Sequence, residues 1–321
     1  MVKDEGDIIE AFIRINSRWA DHFFILDNGS CDNTAYILRM LRDEGLSVTV
    51  SRDFDIAYPQ ERIINALIKD VAGRSEFDFI FPIDGDEFIV EAQEFRNSLK
   101  GIAAGEVGSV EWAVLVPNDS HSMQRPNPLY DGFSRRRSEV HVVRKVILPN
   151  SVARNAVVSM GNHSATNRRS QAIPNTPLPV TLYHVPVRSK EQIIAKALIG
   201  SNKLSIKEGR DSGQGFHWDL IARQIRKSEF ELSDEQLRHI ALSYGWHGDD
   251  PIVADVIPVS LSPENQVLKY SDLGRVNLSM LLDGFARQLC AQIAAHQRTP
   301  ARTVRLLASR AYRRLARRRT T

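Results

Sequence analysis

The sequence predicts an α/β fold built on a doubly wound, mainly parallel sheet, followed by a helical C-terminal extension. Two observations carry the prediction. Short apolar runs alternate with amphipathic stretches of helical length from Asp7 to Ile83. Two of those runs, residues 23–26 and 77–83, empty directly into acidic turns, Asp27-Asn28-Gly29-Ser30 and Asp84-Gly85-Asp86-Glu87. In an open α/β sheet, ligands bind beyond the carboxyl ends of the strands, where both turns fall.

Taken in order, Ile8, Phe12, Ile15 and Trp19 recur at helical spacing and give a helix one apolar face. His22-Phe23-Phe24-Ile25-Leu26 is the first buried strand. Asp32 caps the next helix or favours its positive end, Leu38 and Leu41 share its face, and Gly45 stops it. Val48-Thr49-Val50-Ser51 is a strand. Pro59 opens a further helix through Ile63, Leu67 and Val71 to Gly73. The run 77–83 is nearly continuous in apolar residues, as in a parallel strand covered on both faces, with Pro82 at its end. Residues 110–117, 140–148, 157–160 and 180–183 read as later strands, separated by loops rich in Asn, Pro, Ser and Arg that suit specificity. Ser189 with Gln192 predicts a capped helix to about Leu198, and Ser233 with Gln236 predicts a second. No internal repeat is visible.

The chain has 321 residues, 42% of them hydrophobic and 25% charged, ordinary values for a globular enzyme and unlike disordered or fibrous sequences. Its net charge of +3 is unevenly distributed. No acidic residue follows Asp283, while Arg287, Arg298, Arg302, Arg305, Arg310, Arg313, Arg314, Arg317, Arg318 and Arg319 do, so the body is close to neutral or slightly acidic. Val304, Leu307, Ala308, Ala311 and Leu315 lie among those arginines. The tail therefore reads either as a solvated segment or as a basic amphipathic helix for an anionic membrane surface. No nucleic-acid module accompanies the charge, and no nucleic-acid partner is expected. Cys31 and Cys290 are too far apart in sequence for a zinc or redox motif, and no run is long enough to span a bilayer. These features predict a cytoplasmic protein, peripheral at the inner face of the membrane if the tail binds there.

Two carboxylates separated by one glycine, just after a buried strand, suit a hard cation held through oxygen. Magnesium or manganese fits, with open positions left for a diphosphate. An acidic surface turn is the plainer alternative. An EF-hand is excluded because Phe88 stands at the third ligand position.

Val2-Lys3-Asp4-Glu5 before a helix, then Leu26-Asp27-Asn28-Gly29-Ser30 with Asp32 and Thr34, then Ile83-Asp84-Gly85-Asp86-Glu87-Phe88, resemble the family-2-type glycosyltransferases of the glycosyltransferase A fold. Leu182-Tyr183-His184-Val185 with Arg188-Ser189 and Lys196 resembles the bacterial branch of that family with an Asp-x-Asp-Glu-Phe motif. The resemblance covers roughly residues 1–200. It implies a nucleotide-diphospho-sugar transferase sheet and inverting transfer from a nucleoside diphosphate sugar to a hydroxyl of a glycan or lipid-linked acceptor. By the same resemblance, Asp27 contacts the base or ribose, Asp84 the ribose or the metal, and Asp86 the metal. His184 completes the metal or diphosphate site, with His163 as its competitor. Family members carry an apolar strand before the Lys-Asp-Glu segment, so the sheet is expected to lack its first strand.

Beside the resemblance, Lys3 and Arg52 are candidates for phosphate. Glu87 either ligates metal or caps the next element. Asp119, ahead of Glu111 and Glu139, is the candidate general base because it lies in the polar loop after a strand. Asp86→Ala is expected to abolish metal-dependent donor binding while sparing the fold, on the view that the motif faces solvent. The chain divides into a catalytic domain 1–200, a helical extension 201–283 and a basic tail 284–321. The rivals are a nucleotidyltransferase of similar fold and a catalytically inactive binding module with a basic membrane-surface tail.

Overall fold

A computed structural model describes residues 1–53, 60–74, 76–125, 128–138, 142–205, 215–245, 256–259 and 268–298. Pro59, Glu139 and the Arg-rich stretch 299–321 lie outside the described residues. In chain order the elements are α1 (Ile9–Asn16), β1 (Phe23–Asp27), α2 (Thr34–Asp43), β2 (Val48–Arg52), α3 (Gln60–Arg74), β3 (Phe79–Ile80), β4 (Glu87–Phe88), α4 (Ala92–Ser98) and β5 (Val107–Val116). Next come α5 (Pro128–Asp131), β6 (Arg135–Arg137), β7 (Arg144–Pro149), α6 (Asn150–Ala153), β8 (Val157–Val158), β9 (Ala165–Thr166) and β10 (Asn175–His184). The last are α7 (Lys190–Ser205), α8 (Phe216–Lys227), α9 (Asp234–Ser243), β11 (Val256–Pro258) and α10 (Leu278–Arg298).

The architecture is mixed α/β. β1 and β2 pair in parallel as a two-stranded sheet, as their helical crossover α2 requires. Val2 adds one parallel bridge on the other side of β1: its N–H donates to the Leu26 carbonyl, and its own carbonyl accepts from Asn28. That single bridge stands where the resemblance expects a first strand. The larger sheet runs β11-β6-β5-β10-β4, with β7 on β5 and β3 on β7. Within it β5 and β10 are parallel and the other pairings are antiparallel. Parallel neighbours need long crossovers, and between β5 and β10 the chain carries only the single-turn helices α5 and α6 as α-helix among its described residues.

The run 77–83 differs most from its expectation, since only Phe79 and Ile80 pair, antiparallel to Leu148 and Pro149 of β7. Its aromatic residues supply packing instead. Phe81 and Phe95 each lie against Trp19, with ring centroids 5.7 and 4.9 Å away. In the other direction, the strand expected over 180–183 extends to the whole of β10.

The first core joins Ile9, Phe12 and Ile13 of α1, Leu38 and Leu41 of α2, Ile25 of β1 and Phe88 of β4. Gly45, at φ +97°, ends α2 as its position predicts. The helix opened by Ser189 runs past Leu198 and crosses residue 200. Ile193, Ile194 and Ala197 of α7 share a core with Ile221, Ala222 and Ile225 of α8 and Leu237 of α9, while Ala195 and Ile199 pack on Leu281 and Phe285 of α10. No helix among the described residues is long and apolar enough to cross a membrane.

Candidate active site

Sheet register assembles the site. β4 lies antiparallel to the end of β10, which sets Glu87 opposite His184 and Phe88 opposite Tyr183. The Val185 N–H then donates to the Asp86 carbonyl at 2.9 Å. β5 places Trp112 beside Leu182, and β7 places Lys145 opposite Val110. With side chains alternating along each strand, Lys145, Trp112, Glu87 and His184 share one face at this edge.

Glu87 neither caps the next element nor lies open for a metal; it closes its own turn. Its Oε2 accepts the Asp84 N–H at 2.9 Å, and its Oε1 accepts from Trp112 Nε1 and Lys145 Nζ, each at 2.8 Å. Lys145, almost wholly buried, also reaches Asp84 Oδ2 at 2.8 Å. Between the aspartates there is room only for glycine, because a Cβ at Gly85 would stand 2.8 Å from Val2 Cγ1.

Asp86 is 2% exposed, not solvent-facing as the sequence suggests, because α7 folds across the turn. Its Oδ1 lies 3.3 Å from His184 Nε2, and its Oδ2 lies 2.7 Å from Lys196 Nζ and 3.4 Å from Arg188. Arg188, fully buried at the head of α7, also grips Glu5 and both oxygens of Asp7, the latter at 2.8 and 2.9 Å. Lys196 reaches Glu5 at 3.2 Å. Burial pushes the Asp86 carboxyl upward, but Lys196, His184 and Arg188 together hold it well below the usual carboxylate range. Burial pushes Asp84 upward too, but Lys145 and the Met1 ammonium together hold it below its ordinary value. Burial keeps Glu5 and Glu87 raised despite their cationic partners. Five carboxylates (Glu5, Asp7, Asp84, Asp86, Glu87) thus face three side-chain cations (Lys145, Arg188, Lys196) and the Met1 amino group, a surplus of one negative charge with that group protonated and of two without.

The imidazole of His184 stacks on Trp112, 4.6 Å between centroids, and meets Tyr244 edge-on at 5.6 Å. Its Nδ1 is buried without a hydrogen-bond partner among the described residues. His163 lies against Trp112 as well, with Nδ1 2.9 Å from the Arg144 carbonyl, so of the two histidines it is His184 that meets Asp86.

The other acidic turn is held separately. Asp27 is buried and accepts the Ser30 N–H at 2.8 Å, and Arg52 lies 3.4 Å from its Oδ2. The side chain of neighbouring Asn28 accepts from Lys203 of α7 at 2.9 Å. Lys3 is drawn to the Gly29 carbonyl at 2.7 Å and to Gln288 of α10 at 3.2 Å, so it fastens the C-terminal helix to this turn. Asp119 sits in a turn after β5 with its carboxylate on Arg125 at 2.6 Å. Glu111 is exposed on β5, opposite Arg144 in register.

Sequence reasoning brings Asp84, Asp86 and His184 to one place but misses the roles of Lys145, Lys203, Asp7 and Trp112. Lys145 had a signal: it is a lysine inside the apolar run 142–148, where a buried partner is required. Lys203 had none, because its partner lies 175 positions away.

Among the described residues, no group of three His, Cys, Asp or Glu side chains is arranged as a ready-made metal site. Lysines stand on the carboxylate oxygens instead. In ligand type and charge, however, the set fits a divalent cation: hard carboxylate oxygens, a buried histidine and a surplus of negative charge.

No protein-family model matches the chain, and no curated protein matches it. Among solved structures, the chain is similar to residues 1–349 of S. aureus TarS in complex with UDP, at a TM-score of 0.38 and 13% identity, over 72% of this chain and 70% of that one. A likeness of that size transfers neither fold nor function.

Proposed function

We propose that the chain is a glycosyltransferase that takes a sugar from a nucleoside diphosphate donor and passes it to a glycan or lipid-linked hydroxyl, with inversion at the anomeric carbon. One observation carries the reading: a single helix bridges both acidic turns. Lys203 of α7 reaches the turn beside Asp27, and Lys196, seven residues earlier, reaches Asp86. Seven residues of α-helix span about 10 Å. The nucleoside would lie by Asp27, where the resemblance also puts it, with the diphosphate along α7 toward the Asp84–Asp86 turn.

In this reading Asp84, Asp86 and His184 would hold a Mn2+ or Mg2+ ion, which when bound neutralises charge on the departing diphosphate. Lys145 and Glu87 keep the turn in shape, and Arg188 fixes Asp86 relative to the N-terminal segment. The stack of Trp112, His184 and Tyr244 excludes water beside it. Asp119, the sequence candidate for general base, has its carboxylate on Arg125 and gains no support from the geometry.

The test is release of nucleoside diphosphate from a panel of sugar nucleotides by purified protein with manganese. Release from none of them would count against transfer and favour an inactive binding module; pyrophosphate released from a triphosphate would favour nucleotidyl transfer. Because Asp86 is buried among cations, Asp86→Asn is the cleaner variant than Asp86→Ala. It is expected to lower manganese-dependent nucleotide affinity at least ~10-fold, as loss of a charged ligand to a dication should. Calorimetry with and without manganese checks this, and unchanged affinity would remove Asp86 from the metal site.

A further inference from the structure

Across the cluster the negative charges outnumber the positive, and the Asp86 oxygen that a metal would need, Oδ2, carries a lysine. Of the three cations in the cluster, Lys145 has 2% of its side chain exposed, Arg188 none and Lys196 25%. Each of the three meets two or more carboxylates, Lys196 through Asp86 at 2.7 Å and Glu5 at 3.2 Å. Lys196 alone of the three combines an open face with a long unbranched stem on the outer side of the cluster.

We propose that Lys196 is an exchangeable counter-ion: it occupies Asp86 while the site is empty and yields that carboxylate to a divalent cation, moving its ammonium to the diphosphate that arrives with it. The exchange balances charge at each stage. Without a diphosphate, a cation entering at Asp86 must push one positive charge away from a buried carboxylate and leave it beside the newcomer, which Coulomb repulsion opposes. With a diphosphate present, the displaced ammonium gains an anionic partner. Metal and nucleoside diphosphate therefore bind with positive coupling, each raising the affinity for the other by the same factor. The second half of the exchange rests on the proposed sugar-nucleotide donor; the first half, competition between Lys196 and the metal, does not.

Binding of Mn2+ alone, followed by electron paramagnetic resonance and by tryptophan fluorescence, tests the first half on the 321-residue chain and on Lys196→Met. The expected result is weak Mn2+ binding by the unsubstituted protein and binding tighter by about 5–150-fold in Lys196→Met, the usual size of a coupling between sites. Lys196→Arg, which keeps the charge, is expected to stay weak. Equal Mn2+ affinity in all three proteins would overturn the exchange. The second half is read by adding a nucleoside diphosphate to the unsubstituted protein and to Lys196→Met. UDP, or whichever nucleoside diphosphate binds from a panel, is expected to tighten Mn2+ in the same range, and Lys196→Met to lose most of that gain. Tightening that is equal in the variant and the unsubstituted protein would overturn the transfer of Lys196 to the diphosphate. If no nucleoside diphosphate binds at all, the donor reading and the second half fail together, while a Lys196→Met gain in Mn2+ affinity would still uphold the competition.

Discussion

Lys145 shows how much one buried charge can organise. Its ammonium serves Asp84 and Glu87 at 2.8 Å each, and both belong to the turn that carries the acidic pair. Removing one member of a buried ionic cluster strands the others, so Lys145→Met is expected to cost about 3–5 kcal/mol in urea unfolding. A loss below about 1 kcal/mol would mean that the turn does not depend on the pair. His217 supplies a pH signature. Burial first, then Lys196 and His184, lower its pKa from 6.5 to about 4. The folded state therefore holds it neutral where the unfolded chain would already protonate it. Its contribution is complete above pH 6.5 and is lost as pH falls toward 4, with an expected size below about 3 kcal/mol after allowance for partial exposure. His217→Phe should flatten stability over that window in chemical denaturation at stepped pH. A slope identical to that of the unsubstituted protein would contradict the assignment. Asp86 acts at lower pH: its depressed pKa gives stability that is kept above the unfolded value near 4 and lost below it.

At the scale of elements, the two predicted capping boxes come out differently. Ser233 and Gln236 form the reciprocal pair at the start of α9: the Gln236 N–H donates to Ser233 Oγ at 3.1 Å, and the Ser233 N–H donates to Gln236 Oε1 at 2.7 Å. Ser189 accepts from the Gln192 N–H at 3.2 Å, but the Gln192 side chain turns back to the Arg188 N–H, helping to hold the residue that clamps Asp86. Ser233→Ala should accordingly cost about 1 kcal/mol, the ordinary value of a lost cap, seen as a lower thermal midpoint with the site unaffected. A shift in nucleotide or Mn2+ binding with that variant would show that α9 is coupled to the site. The segment before α10 is a further tie. The Lys269 and Tyr270 N–H groups both donate to the Glu10 carboxylate at 2.8 Å, and a Cβ at Gly274 would stand 2.2 Å from the Gly6 carbonyl.

For the whole molecule, the catalytic unit expected over 1–200 leans on the helices beyond it. α7 carries Lys196 and Lys203 toward the site on one side, with Arg188 just before its start, and Ile193, Ile194, Ala197 and Leu198 toward the core of α8 and α9. A chain ended at residue 200 would lose Lys203 and expose that apolar face. It is expected to be insoluble or to lose cooperative unfolding, measured by circular dichroism on heating. A soluble 1–200 fragment with a sharp transition would show that α8, α9 and α10 are an appendage.

The sequence by itself determined the local pattern: α1, β1, α2 and β2 with their stops, the acidic turns at Asp27 and Asp84, and the cap at Ser233. Each of these arises from periodicity or turn chemistry within a dozen neighbouring residues, which a linear reading sees. Only the tertiary structure decided the rest. The run 77–83 looked like a covered parallel strand, yet Phe81 packs on Trp19 and Phe95, Phe77 packs on Phe24, and only two of its residues pair. Asp86 looked exposed, and α7 buries it. The partners of the acidic pair, Lys145, Arg188 and Lys196, come from 61 to 110 positions away. Their ion pairs are set by sheet register and by the crossing of one helix, and spacing along the chain carries no trace of either.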